Sequence, residues 1–342
     1  MKKEERIRAF SLLGERLREN DPRMDELFAA AARLNPWFRP EEVRYMMNAI
    51  AETLSVESLE RFLAAYDLDA VKPKTIAVVM AGNIPLVGFH DFMCVLLSGH
   101  QLVARLSSDD KLLLPAVAEM LCEIEPRFRD AIRFTEGRID GMNADAIIAT
   151  GSNNSSRYFE HYFAKYPHII RKNRHGIAVL SGNESREQLE ALGEDIFRYM
   201  GLGCRNVTKL FVPRGYSFNA FFESILPWGE KVISHTKYMN NYEYHRSLYL
   251  LNNDKLLDNN FILLREDTRL ASPPGVLYYE FYDDTEVVKE RLRIDSENIQ
   301  CVVGGPEHGM TVIPFGKSQS PGLADYADGV DTMQFLVETG KK

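Results

Sequence analysis

From Val71 onward the chain alternates short β-rich runs with helical patterns, and this alternation restricts the fold more than any other feature. Thr75-Ile76-Ala77-Val78-Val79-Met80 is one such run, ending in Ala81-Gly82-Asn83-Ile84-Pro85. A helical stretch over 86–98 follows, Gly99 stops it, and Gln101-Leu102-Val103-Ala104-Arg105-Leu106 reads as the next strand. A strand, helix and strand of that size match a right-handed parallel crossover. A helix over 109–123, strands near Ile132-Arg133-Phe134 and Asp145-Ala146-Ile147-Ile148-Ala149, and a helix opening after Thr150-Gly151-Ser152 extend the series. The expected architecture is an α/β sheet wrapped by helices.

The first seventy residues differ in kind. Ile7, Phe10, Leu13 and Leu17 recur at helical spacing, Met24, Leu27, Phe28, Ala31 and Leu34 repeat the pattern, and Pro40 with Glu41 and Glu42 opens a third helix. Leu59, Phe62, Leu63 and Tyr66 suggest a fourth, so this segment reads as a helical layer on a core. Beyond Pro167, Ile169–Leu180 reads as two strand segments leading into a second domain. Ser185 and Gln188 then form a capping-box pattern that starts a helix carrying Leu189, Leu192, Ile196, Phe197 and Met200 toward the core.

That helix delivers Cys204, in Met200-Gly201-Leu202-Gly203-Cys204-Arg205-Asn206. A thiol in a glycine-rich turn beside Arg205 and near Lys209 is placed for reactivity, because positive charge favours the nucleophilic thiolate; the competing reading is a structural cysteine. Cys94, Cys122 and Cys301 lie in apolar runs and read as core. No Cys-x-x-Cys pair or zinc spacing occurs, which predicts neither a disulfide framework nor a metal site and points to a reducing compartment. A net charge of −8 argues against nucleic acid as partner. The charged start Met1-Lys2-Lys3-Glu4-Glu5-Arg6 lacks a signal peptide's apolar centre, and no apolar run approaches the ~20 residues of a membrane span. A soluble, cytoplasmic protein is expected.

Three further segments invite ligand chemistry. Thr150-Gly151-Ser152 joins a strand to a helix, where backbone N–H groups and hydroxyls can hold a phosphate, or where Ser152 is a simple N-cap. Asn83 lies just past the first strand, the side of an open α/β sheet where ligands bind; its amide either stabilises the turn or donates to an oxyanion. Arg105 with Ser107 and Ser108 closes the neighbouring strand, a cation and hydroxyls suited to a ribose 2′-phosphate, against the default of a solvated arginine.

In order and spacing, Ala81-Gly82-Asn83-Ile84-Pro85-Leu86, Thr150-Gly151-Ser152 and Gly201-Leu202-Gly203-Cys204 resemble the aldehyde dehydrogenase superfamily. Within it they look like the acyl-CoA reductase branch, which includes the fatty acid reductase of bacterial luminescence. The likeness runs from about Lys72 to Pro213 and continues more weakly through Pro273-Pro274-Gly275 and Pro314-Phe315-Gly316-Lys317. It implies two α/β domains with an N-terminal helical layer: 1–70 helical, 71–176 dinucleotide-binding, 177–310 catalytic, and 311–342 returning to the domain or subunit interface. It also implies that Cys204 is the acyl-accepting nucleophile and that Asn83, with the Cys204 backbone N–H, forms the oxyanion hole. Thr150, Gly151 and Ser152 would lie at the dinucleotide phosphates, and Arg105 takes the place of a lysine on the adenosine ribose, favouring NADPH over NADH. His175 is a candidate proton donor to the product oxygen, or an ordinary hydrogen-bonded histidine.

Two departures from the superfamily pattern bear on the reaction. Ile170-Arg171-Lys172-Asn173-Arg174-His175-Gly176 holds no carboxylate where hydrolytic relatives carry a water-activating glutamate, which favours thioester reduction over acid formation. Ala271 and Ser272 precede Pro273, where relatives often carry the glutamate that contacts the nicotinamide ribose. The expected reaction is therefore reduction of an acyl-CoA, of fatty acyl type, to an aldehyde. A homodimer and an acyl-activating or aldehyde-consuming partner enzyme are compatible with it. The alternatives are another acyl donor on the same fold, an acyl phosphate or acyl carrier protein, or a dinucleotide-binding protein whose cysteine is inert.

Overall fold

Four helices open the chain: α1 (Lys3–Arg18), α2 (Pro22–Leu34), α3 (Pro40–Thr53) and α4 (Val56–Leu63). Asp21 and Ser55 cap α2 and α4 by accepting backbone N–H groups, and prolines stand at the first turns of α2 and α3, where a missing N–H costs nothing. Their apolar stripes, among them Phe10, Leu13, Phe28, Val43 and Leu59, are buried in one core with strand residues Ile76, Val78 and Leu102. Phe10 meets Phe92 and Phe128 edge-on, at centroid distances of 6.3 and 5.9 Å. Truncating such a ring costs about 3–5 kcal/mol.

The computed structural model describes residues 1–19, 21–135, 143–306 and 309–341. They fall into two units, Met1–Asn173 with Gly322–Lys342 (unit 1) and Arg174–Pro321 (unit 2). Unit 1 contains β1 (Thr75–Val79), α5 (Phe89–Leu97), β2 (Gln101–Arg105), α6 (Leu113–Ile124), β3 (Ile132–Thr135), β4 (Ala146–Thr150), α7 (Asn153–Phe163) and β5 (His168–Arg171). The sheet order is β3-β2-β1-β4-β5, and every pairing is parallel. Strand order reverses between β1 and β4, which makes the carboxyl edge of these strands a topological switch point, the place where open α/β sheets hold ligands. The alternation seen in the sequence thus becomes a parallel sheet with a defined binding edge.

Unit 2 follows with β6 (His175–Val179), α8 (Arg186–Phe197), β7 (Val207–Pro213), α9 (Asn219–Ile233), α10 (Thr236–Leu251), β8 (Leu256–Asp258), β9 (Leu263–Glu266), β10 (Val276–Tyr282), α11 (Thr285–Ile294) and β11 (Ile299–Gly304). Its sheet runs β11-β6-β7-β10-β9-β8, parallel except for the β8–β9 pair. β7 is central and buried along nearly its whole length, as expected of an apolar run covered on both faces.

Residues 322–341 return to unit 1, where α12 (Thr332–Lys341) buries Met333, Leu336 and Val337. Lys72 N–H donates to the Gly340 carbonyl, and His100 Nε2 lies 2.9 Å from the Leu336 carbonyl. The buried Arg171 guanidinium bonds Asp91 at 2.5 Å and the Thr332 hydroxyl at 2.8 Å. Removing one partner of such a buried pair typically costs about 3–5 kcal/mol. Among the described residues, no helix is long and apolar enough to cross a membrane.

Several helix boundaries differ from the sequence reading, among them that of α4, which ends at Leu63 before Tyr66. α5 begins at Phe89, because Leu86 adopts φ 53° and gives its N–H to the Asp110 carboxylate at 2.9 Å. α6 begins at Leu113, whose N–H bonds the other Asp110 oxygen at 3.3 Å. α8 ends at Phe197, so Met200 lies beyond it, although it is still buried.

Candidate active site

The carboxyl edge of the unit 1 sheet carries Arg105 and Thr150 as the last residues of β2 and β4, with Asn83, Ser107, Gly151 and Ser152 on the loops after β1, β2 and β4. Val79 is in register with Arg105 and with Ala149, so the three loops start level with one another. Asn83 and Arg105 are exposed. Gly82 lies against Ser107, and a β-carbon at Gly82 would stand 2.6 Å from the Ser107 side chain. Buried Asp110 ties the Leu86 end of the first loop to the start of α6, and burial pushes its pKa above the ordinary aspartate value.

Both serines here have local work to do. Ser107 Oγ accepts the Asp109 N–H at 3.2 Å, and Ser152 Oγ caps α7 by accepting the Ser155 N–H at 3.2 Å. Gly151 allows the tight strand-to-helix turn, since a β-carbon there would lie 2.8 Å from the Phe159 ring and 2.9 Å from Ser155 Cβ.

In unit 2, Cys204 and His175 lie at the amino ends of adjacent strands, Cys204 in the turn before β7 and His175 as the first residue of β6. All four cysteines are free, but Cys94, Cys122 and Cys301 are buried, whereas Cys204 is partly exposed. Burial raises the thiol pKa of all three, that of Cys301 to about 12, which keeps them protonated at neutral pH. Burial also draws the His175 pKa down, because the charged imidazolium would lose its hydration there.

The turn bearing Cys204 is built on strained backbone. Tyr199, Met200 and Gly201 have φ of 54°, 57° and 76°, a left-handed run closed by Leu202 N–H donating to the Tyr199 carbonyl at 3.2 Å. Each non-glycine residue in that region costs on the order of 1–3 kcal/mol and persists only when its surroundings enforce it. After this run, Gly203 N–H donates to Asn206 Oδ1 at 2.7 Å and Asn206 N–H donates to the Gly203 carbonyl at 3.0 Å. Gly176 N–H bonds the Asn206 carbonyl at 3.0 Å, and the Cys301 thiol faces the Arg205 carbonyl at 3.8 Å. At Gly176 a β-carbon would stand 2.6 Å from the Arg205 carbonyl oxygen and 2.7 Å from that of Asn206, so only glycine permits this approach.

Lys209, read in the sequence as a cation near Cys204, lies inside the sheet. Its side chain is completely buried, and its ammonium bonds Glu280 at 2.9 Å and the Asp267 carbonyl. Asp195 on α8, also missed by the sequence reading, receives Gly316 N–H at 2.6 Å and Ser318 N–H at 2.9 Å. Burial pushes its pKa up to about 6. The Ser272 hydroxyl bonds the Val276 carbonyl at 2.7 Å within the Pro273-Pro274-Gly275 turn. Among the described residues, no group of three or more His, Cys, Asp and Glu side chains forms a candidate metal site.

A family model described as acyl-CoA reductase (LuxC) matches residues 8–220. No curated protein matches the chain significantly. Among solved structures, aldehyde dehydrogenase 21 from Physcomitrella patens, in complex with the reaction product succinate, is similar over 99% of this chain and 85% of its own, with 14% identity and a TM-score of 0.73. An indole-3-acetaldehyde dehydrogenase complexed with NAD+ gives 0.67 at 14% identity, over 89% of this chain and 72% of its own. A Mycobacterium tuberculosis aldehyde dehydrogenase complexed with NAD+ gives 0.65 at 14% identity, over 89% and 73%. At such identities the likeness establishes the fold.

Proposed function

Because the chain belongs to the acyl-CoA reductase (LuxC) family, whose members are aldehyde-related oxidoreductases, we propose that it reduces a fatty acyl-CoA thioester to the aldehyde through an acyl-cysteine at Cys204, with NADPH as reductant. The observation that carries this reading is the contrast among the four thiols: three are buried, and the fourth is partly exposed on a turn anchored at both ends.

In the proposed reaction, Cys204 Sγ bonds the thioester carbonyl carbon, and the carbonyl electrons move to oxygen. Asn83 and the Cys204 N–H are the donors assigned to that oxyanion. Its collapse breaks the carbon–sulfur bond to CoA, which leaves as a thiolate and takes a proton from solvent. Reduced nicotinamide dinucleotide, when bound, supplies the hydride that reduces the acyl-cysteine carbonyl. Release of aldehyde then breaks the Cys204 carbon–sulfur bond and restores the thiolate. The lack of a carboxylate in 170–176 supports an acyl-enzyme that outlasts attack by water.

The unit 1 edge fits a dinucleotide. α7 opens directly after Thr150-Gly151-Ser152 beside the switch point, and a helix start of this kind favours phosphate. Arg105, exposed at the end of β2, is assigned to the ribose 2′-phosphate, which is the basis for preferring NADPH.

Intact-protein mass spectrometry with a panel of acyl-CoAs tests the reading. The expected result is one acyl group added to the wild type, none to Cys204→Ala, and loss of the adduct with aldehyde release on adding NADPH. An adduct that survives in Cys204→Ala, or no adduct with any acyl-CoA, rules the proposal out.

A further inference from the structure

Building on the reading of Cys204 as nucleophile, we propose that Asn206 is the positioning residue of this site: its carboxamide holds the left-handed turn against the end of α8 and so sets the direction of the Cys204 thiol and peptide N–H. Asn206 is 0% exposed, a fully interior polar side chain two residues past the cysteine. Its Nδ2 lies 3.0, 3.2 and 2.9 Å from the carbonyls of Asp195, Ile196 and Arg198, while its Oδ1 accepts the Gly203 N–H at 2.7 Å. These partners fix the amide orientation, because three acceptors need the NH2 and one donor needs the oxygen.

One side chain therefore spans the strained run. Its nitrogen grips the backbone before Tyr199 and its oxygen grips the backbone after Gly201. Cys204 lies between two tethered points, Gly203 and Asn206, which the chain also ties to each other through the Asn206 N–H. Cutting the span removes the four side-chain hydrogen bonds that tie the left-handed run to the end of α8. An ordinary helix cap would matter only for stability, whereas a positioning residue changes how fast and at what pH the thiol reacts.

The test uses the full-length wild type and Asn206→Asp, which keeps the shape and the acceptor for Gly203 but turns an acceptor toward three carbonyls. Acylation of Cys204 by acyl-CoA is followed by quenched-flow mass spectrometry, and Cys204 alkylation by iodoacetamide is followed against pH, at temperatures where circular dichroism shows both proteins folded. We expect Asn206→Asp to acylate roughly 100-fold more slowly, the scale of a misplaced reacting group, with a displaced alkylation profile and a half-saturating acyl-CoA concentration within about threefold of wild type.

Equal rates and superimposable profiles overturn the proposal while leaving the nucleophile reading intact. A wild type that forms no acyl-Cys204 overturns both. Should Asn206→Asp not fold, hydrogen exchange of the wild type decides: protection of the Gly203 amide comparable with β7 supports the clamp, and exchange at the rate of an open loop overturns it.

Discussion

The two edges that carry the candidate residues are built on opposite principles. In unit 1 the residues sit at the ends of β2 and β4 and on the loops after β1, β2 and β4, at the carboxyl side of parallel strands, and their polar groups are largely exposed or engaged in short local turns. In unit 2 Cys204 sits before β7, at the amino side, on a turn fixed by buried groups both near in sequence, Asp195 and Asn206, and far from it, Gly176 and Cys301. The first edge suits a ligand that arrives and leaves. In the proposed reaction the second carries the covalent step, where the direction of a single sulfur decides the rate.

That contrast can be broken by substitution. Asn83→Ala should keep the protein folded and slow acyl transfer ~100-fold to 1,000-fold, the usual loss for one oxyanion donor; rapid-quench kinetics showing wild-type acylation would remove Asn83 from the chemistry.

Asp195 sharpens the contrast through pH. Its folded pKa of about 6 lies above the ordinary aspartate value of 3.8, so the stability linked to its proton is present below pH 4 and lost as pH rises through 6. The stability of wild type relative to Asp195→Asn should fall by about 2 kcal/mol between pH 4 and pH 7, measured by urea unfolding at both values. A flat difference would mean that burial does not govern this carboxyl.

Gly176→Ala and Gly151→Ala compare the two edges directly, since both force a β-carbon into close contact. Each should destabilise its unit by about 1–3 kcal/mol, but only Gly176→Ala should slow Cys204 alkylation. Equal effects on alkylation would dissolve the distinction. The smallest expected change is at Arg105: Arg105→Gln should lower the ratio of NADPH to NADH efficiency roughly tenfold, as loss of one charge-assisted contact would. An unaltered ratio in steady-state kinetics would leave the arginine solvated.

Sequence periodicity revealed the sheet, the helices and the odd cysteine, because these depend on local pattern. Thr75–Val79 reads as a short, nearly continuous apolar run, as a buried parallel strand does, and Cys204 stands apart because it follows a glycine-rich turn rather than an apolar run. What the sequence did not display was the support of that turn. Asp195 meets Gly316 across 121 residues, and nothing in the string around either position announces it. Asn206 looks like any turn asparagine until its three carbonyl partners are seen. The ion pair of Lys209 with Glu280, 71 residues away, was equally hidden, since adjacency in sequence draws attention only to the nearby thiol.

Unit 1 is interrupted: the chain departs after Asn173 and comes back at Gly322. The residues that complete its core, Met333, Leu336 and Val337, therefore leave the ribosome only after every residue of unit 2 has been made. Throughout that interval the half-built host stands without the helix that seals it and without the Thr332 hydroxyl that receives Arg171. Its apolar face is then open to chaperones and to misassociation, and synthesis rate becomes a determinant of yield.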